Sequence, residues 1–236
     1  MNDAFQLIGF DEGAWGPALA KATVVTMEIS IGAFIVGILL GLVTALAKLY
    51  GNSKLQTIAK TYTTIFRAVP ELLLIILFFY GGSALINSIY AYFGHDSVDV
   101  AGLPVAIAVL GLVQGAYASE IFRGAIQSVN SGQTEAALAY GMSKTKIFFR
   151  VTLPIMAPLA LAGLSNLWVN LIKDSALISV IGTNELLYTA KQAGGSTREY
   201  LLFFLTAAFI YYVITLISSY LLRILEVYLR RWQPKH

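Results

Sequence analysis

The chain has 236 residues, no cysteine, 57% hydrophobic residues and only 12% charged ones, with a mean hydropathy of +0.72. An ordinary soluble domain is about 25% charged, and a sphere of this size cannot hide so much apolar surface. A soluble globular enzyme is therefore excluded, and so is disorder, which requires low hydrophobicity and high net charge. The missing cysteines exclude a disulfide framework, a thiolate metal site and a cysteine nucleophile. The net charge of +3 reads as basic cytoplasmic loops of a membrane chain, not as affinity for nucleic acid.

Five stretches free of charge are long enough for the roughly 20 apolar residues that cross a bilayer. In chain order they predict transmembrane helices over approximately 23–47, 69–91, 102–122, 154–173 and 200–223. The first is preceded by Asp3, Asp11 and Glu12 rather than by a basic patch, so it is not a cleavable signal peptide. Between them and the span, Asp11 to Lys21 reads either as a short interfacial helix or as coil. The second span must turn out of the membrane before His95, and Pro154 opens the fourth. No solenoid period or inverted repeat is visible, so 1–236 reads as a single all-α transmembrane domain.

Basic residues orient it. Lys48, Lys54, Lys60 and Arg67, then Arg123, Lys144, Lys146 and Arg150, then Arg223, Arg230, Arg231 and Lys235 fall on one side; Lys21, Lys191 and Arg198 fall on the other. Basic loops stay in the cytoplasm, which predicts the amino terminus outside and the carboxyl terminus inside.

The cytoplasmic loop over 128–153 reads as two short helices meeting at Gly141. Glu135 to Ala139 are good helix formers, with Thr134 available to cap them and Ser143 to cap the next helix. Gly141 permits a left-handed cap. Ile147, Phe148 and Val151 predict an apolar face, with Lys144, Lys146 and Arg150 around it. These residues alone leave three uses open: lying on lipid, packing on the bundle, or docking a partner.

Glu135-Ala136-Ala137, then Gly141, then Val151-Thr152-Leu153-Pro154 resembles the EAA loop of ATP-binding-cassette importer permeases, with valine replacing the family's isoleucine. The likeness extends from about Thr23 to the carboxyl terminus. Arg67-Ala68-Val69-Pro70-Glu71 is similar to the segment entering the second span of polar amino-acid permeases, although Ala68 and Val69 depart from the usual Gly-Thr. Gly115 to Arg123 and Lys173 to Leu177 are similar to the ends of their third and fourth spans. The Arg-x-x-Pro-Glu pattern and the run Leu187–Tyr200 resemble most the Q-type subunits of histidine, lysine, arginine, ornithine and opine uptake systems. That resemblance implies the type I importer transmembrane fold in a bacterial inner membrane. It also implies a sister permease, a cytoplasmic ATPase dimer and a periplasmic substrate-binding protein as partners. Glu135, Ala136, Ala137, Gly141, Leu153 and Pro154 would then lie at or beside the ATPase contact. The chain has no G-x-x-x-x-G-K-[ST], so any ATP is held by the partner and no cofactor is expected here. An ion-coupled secondary transporter or channel is the competing class.

Four acids fall within or beside the spans. A charge at mid-bilayer costs at least about 2.5 kcal/mol. Glu71 and Glu120 each have an arginine one turn away, Arg67 and Arg123, and read as local ion pairs. Asp174, beside Lys173, reads as an exposed outer end. Glu28 has no basic neighbour in sequence. A cationic substrate would favour acidic lining, which makes Glu28 and Glu71 the first substrate-path candidates, with Glu120 and Asp174 after them. Gly37 and Gly41, and Gly111 and Gly115, predict close helix packing. Tyr80, Tyr90, Tyr92, Tyr200, Tyr220, Tyr228 and Trp232 predict interfacial belts. His95 and His236 are too far apart to imply a metal site.

Overall fold

A computed structural model describes residues 6–93, 95–96 and 102–230. Asp3, Arg231, Trp232, Lys235 and His236 lie outside the described residues. Among those described, all regular structure is helical. The helices are α1 (Gly16–Tyr50), α2 (Ser53–Ala68), α3 (Glu71–Tyr92), α4 (Gly102–Gln127), α5 (Ser131–Ala139), α6 (Lys144–Ile181), α7 (Leu186–Thr197) and α8 (Tyr200–Arg230).

Five of them, α1, α3, α4, α6 and α8, are long and apolar enough to cross a membrane. The first begins earlier than expected. Pro17 occupies the first turn, where its missing N–H costs nothing. Gly16 to Lys21 are therefore the opening turns of the span, neither a separate interfacial helix nor coil. A second departure is α2, which the interleaved Lys54, Lys60 and Arg67 hid from a search for apolar runs. Asn52 caps it through a bond from the Leu55 N–H.

The α-helical part of the fourth span, Leu153–Asp174, lies where expected, but it is not a separate helix. The second loop helix runs straight into it, so Pro154 does not open a new helix. A π turn over Phe148–Thr152 precedes the proline. Such turns shift the hydrogen-bond ladder by one residue. The extra residue lets the axis pass a proline that would otherwise break it. A second π turn, Leu77–Gly81, sits inside α3.

α1 and α4 form the centre. In lipid no hydrophobic gain drives two helices together, so close packing must do it. Small residues supply the approach. A Cβ on Gly41 would stand 2.5 Å from the Ala118 Cβ, and one on Gly37 would stand 2.9 Å from the Gln114 Cβ. Gly111 and Gly115 return the favour to Val36 and Leu40. Three apolar clusters pack against α1, two of them along this seam. One, around Leu19, Leu186, Ala193 and Phe203, pins α7 and α8 to the start of α1. The middle one joins Ile29, Leu110, Val113, Leu171 and Ile178. The last joins Ala45, Ala118, Phe122, Met156 and Leu164.

Candidate functional site

Asn130, not Thr134, caps α5, accepting a bond from the Gly132 N–H. The helix starts three residues before Thr134, at Ser131, which places the threonine inside it. At the other end Gly141 takes φ +74°. Its N–H donates to the Leu138 carbonyl and that of Met142 to the Ala137 carbonyl. This is the paired bonding of a Schellman cap, which favours glycine at that position. Nothing stands within 4 Å of a Cβ built on Gly141. Glu135 and Ala136 are exposed, Ala137 is buried, and Pro154 is exposed beside half-buried Leu153. Ser143 precedes α6 without a side-chain cap bond. Ile147 is buried, while Phe148 and Val151 are half-buried. A cleft of about 620 Å³ runs between Leu46 and Tyr50 of α1 and Leu138, Ile147 and Phe149 of the loop. Phe149 and Tyr140 remain 61% and 89% exposed.

The four acids part company. Glu28 is exposed on α1, in a stripe with Val24, Ile31 and Ile35. Glu120 lies in an ion cluster: Lys48 donates to it at 2.6 Å and Arg123 at 2.8 Å. Lys48 also donates to Thr63. The expected pairing of Glu120 with Arg123 is present, and Lys48 joins it from 72 residues away.

Glu71 does not pair with Arg67, whose guanidinium lies over the Tyr117 ring, 5.6 Å from its centre. Its side chain instead approaches that of Asp174. Asp174 is thus not an exposed outer end; it is half-buried, and Gln114 donates to it at 3.4 Å. Gln114 is 1% exposed, and its Oε1 has no partner among the described residues. The result is a half-buried, acceptor-rich corner made by α3, α4 and α6. Two carboxyl groups in contact repel unless a proton or a bound cation stands between them.

Sequence reasoning missed Gln114 and a second polar centre at the far end of α6. Glu185 is wholly buried and caps α7 by accepting from the Leu187 and Tyr188 N–H groups, while the Tyr211 hydroxyl donates to it at 2.8 Å. The Leu186 N–H bonds Thr26 of α1. Burial pushes the Glu185 carboxyl above its ordinary range, and these three donors partly offset that. Its only sequence signal was an acid just before an apolar helical run. Burial likewise holds the Tyr62 phenol up at about 12.

Residues 37–231 match the family described as binding-protein-dependent transport system inner membrane component. The chain belongs to that family. It is a membrane transport subunit, and in such systems ATP hydrolysis belongs to a separate chain. It is 40% identical over 225 residues to the octopine transport system permease protein OccQ of Rhizobium radiobacter, covering 95% of each chain. It is 36% identical to the histidine/lysine/arginine/ornithine transport system permease protein HisQ of Salmonella typhimurium, covering 88% of this chain and 91% of that one. A crystal structure of an amino acid ABC transporter with histidines superposes with a TM-score of 0.76 at 29% identity, over 90% of this chain and 94% of that one. An importer of the acidic polysaccharide alginate, at 16% identity and a TM-score of 0.72, shares the fold.

Proposed function

We propose that this chain forms, with a sister permease, the membrane path of an ABC importer for basic amino acids or their opine derivatives. The observation that carries the substrate class is the corner of Glu71, Asp174 and Gln114. Two carboxyl groups and an unpartnered amide oxygen offer acceptors to a donor-rich cation, and a guanidinium has five donors. The octopine and histidine/lysine/arginine/ornithine relatives support the same class. Glu120 is held by two bases and serves structure rather than substrate; Glu28, exposed among apolar neighbours, suits contact with the sister subunit or lipid.

The exposed loop around Glu135, Ala136 and Gly141 docks on the ATPase dimer, and Leu153–Pro154 carry the chain back to the bundle. A periplasmic binding protein delivers substrate to the outer face. The clustering of basic residues at the α1–α2 and α4–α6 connections supports a cytoplasmic carboxyl terminus in a bacterial inner membrane.

The test uses the complete transporter in proteoliposomes. Glu71→Gln and Asp174→Asn should raise the KM for arginine about tenfold or more, the value of one lost charged hydrogen bond. Basal ATPase activity should be unchanged. An unaltered KM in both variants removes the substrate-class assignment while leaving the coupling loop standing.

A further inference from the structure

The acceptor-rich corner accounts for the cation of a substrate and leaves the rest of the molecule unheld. A basic amino acid also carries a carboxylate, joined to the carbon that bears its α-ammonium. A partner for that group lies one turn away. Arg67 falls in the last turn of α2 and Glu71 begins α3, on either side of the extended Val69 and Pro70. The Arg67 guanidinium lies over the Tyr117 ring, 5.6 Å from its centre. Tyr117 follows Gln114 by three residues on α4. That spacing is about 4.5 Å along the axis, on one flank of the helix. The chain break and the ring contact thus bring Arg67 beside the corner independently.

A ring face attracts the guanidinium charge and takes none of its N–H bonds in the guanidinium plane. Among the described residues Arg67 makes no ion pair, and it is exposed. The other nearby cations differ. Lys48 and Arg123 are engaged by Glu120, and Lys60 stands two turns further from the corner on α2. Arg67 and Tyr117 also line a recess of about 750 Å³, so space for a ligand lies at the fork. A free planar fork matches a carboxylate with two parallel hydrogen bonds. We propose that Arg67 binds the α-carboxylate of the substrate while Glu71, Asp174 and Gln114 hold its cation. This role rests on the cationic substrate class proposed above. It adds a second requirement to that class: the ligand must carry both charges, not the cation alone.

Equilibrium binding of radiolabelled arginine and agmatine to the complete permease–ATPase complex, without the binding protein, separates the two groups. Agmatine is arginine without its carboxylate. The wild type should bind agmatine about tenfold or more weakly than arginine, the value of one charged hydrogen bond. R67Q should lower the affinity for arginine to about that for agmatine, and leave agmatine binding unchanged or tighter. R67K keeps the charge, loses the fork and should fall between them; it serves where R67Q does not assemble. K54Q, on α2 but outside the recess, should bind both ligands as the wild type does. Equal binding of arginine and agmatine by the wild type, or an R67Q variant that weakens both alike, overturns the carboxylate role. The corner fails separately: Glu71→Gln and Asp174→Asn variants that bind agmatine as the wild type does would remove the cation site, whatever R67Q shows.

Discussion

At the residue scale, the deciding fact about each charge is what meets it in space. Lys48 is 5% exposed at its side chain, and Glu120 is 28% exposed. Glu120→Gln therefore strands a buried ammonium, whereas Lys48→Met leaves Glu120 still held by the more exposed Arg123. Breaking a fully buried pair costs about 3–5 kcal/mol. With one partly exposed member, about 2 kcal/mol is expected for Glu120→Gln and less for Lys48→Met, read as thermal unfolding in detergent. Glu185 gives a pH prediction. Its folded carboxyl titrates above the ordinary range, so the folded state holds its proton longer than the unfolded chain. The contribution is complete below the ordinary carboxylate range and is lost as pH rises through the raised value. Glu185→Gln should flatten that slope in a pH series of unfolding midpoints. Gly141 tests the loop. Open space around its Cβ means that alanine costs only the left-handed backbone, about 1 kcal/mol. Gly141→Asp should insert into the membrane yet lose substrate-stimulated ATPase activity; normal transport would refute docking at this point. Gly141 was legible because a helix cap is a local signal. Asp174 was misread because Gln114, one of its partners, lies 60 residues away.

At the scale of elements, the α1–α4 seam was legible as glycines spaced four apart, because such spacing has one structural use in a membrane. It yields a paired expectation. Gly41→Ala forces a Cβ to 2.5 Å from Ala118 and should lower the unfolding midpoint by several degrees. Gly124→Ala, with nothing within 4 Å, should be neutral or stabilising by up to about 1 kcal/mol. α2 was not legible, since its three basic residues break every apolar run even though they lie on a helix. The continuity of the fourth span with the loop helix was hidden by Pro154. Proline reads as a stop in sequence, and only the neighbouring π turn shows how the helix accommodates it.

Across the whole molecule, burial is unequal. The most apolar window of α4 is 61% buried, against 11% for those of α3 and α8. α4 is therefore the hub, and α3 and α8 present most of their surface outward, to lipid or to a second subunit. The five-span count was legible from the gaps between charges, because desolvating a charge in lipid is costly everywhere along a span. Orientation rests on the same charges. A reporter fused after His236 should be cytoplasmic; an external reporter would reverse the arrangement and take the loop away from any cytoplasmic ATPase.

The π turn of α6 has a mechanical side. Pro154 and Pro158 each remove a rung from the helix ladder just beyond it, while Leu159 to Asp174 contains no proline. The arrangement is a compliant joint next to the loop, followed by a stiff arm about 24 Å long at 1.5 Å per residue. A swing of about 10° at the joint carries the tip of that arm through about 4 Å. Such a stroke exceeds the reach of a hydrogen bond. A stroke of that size at the tip of the arm would part Asp174 from Glu71.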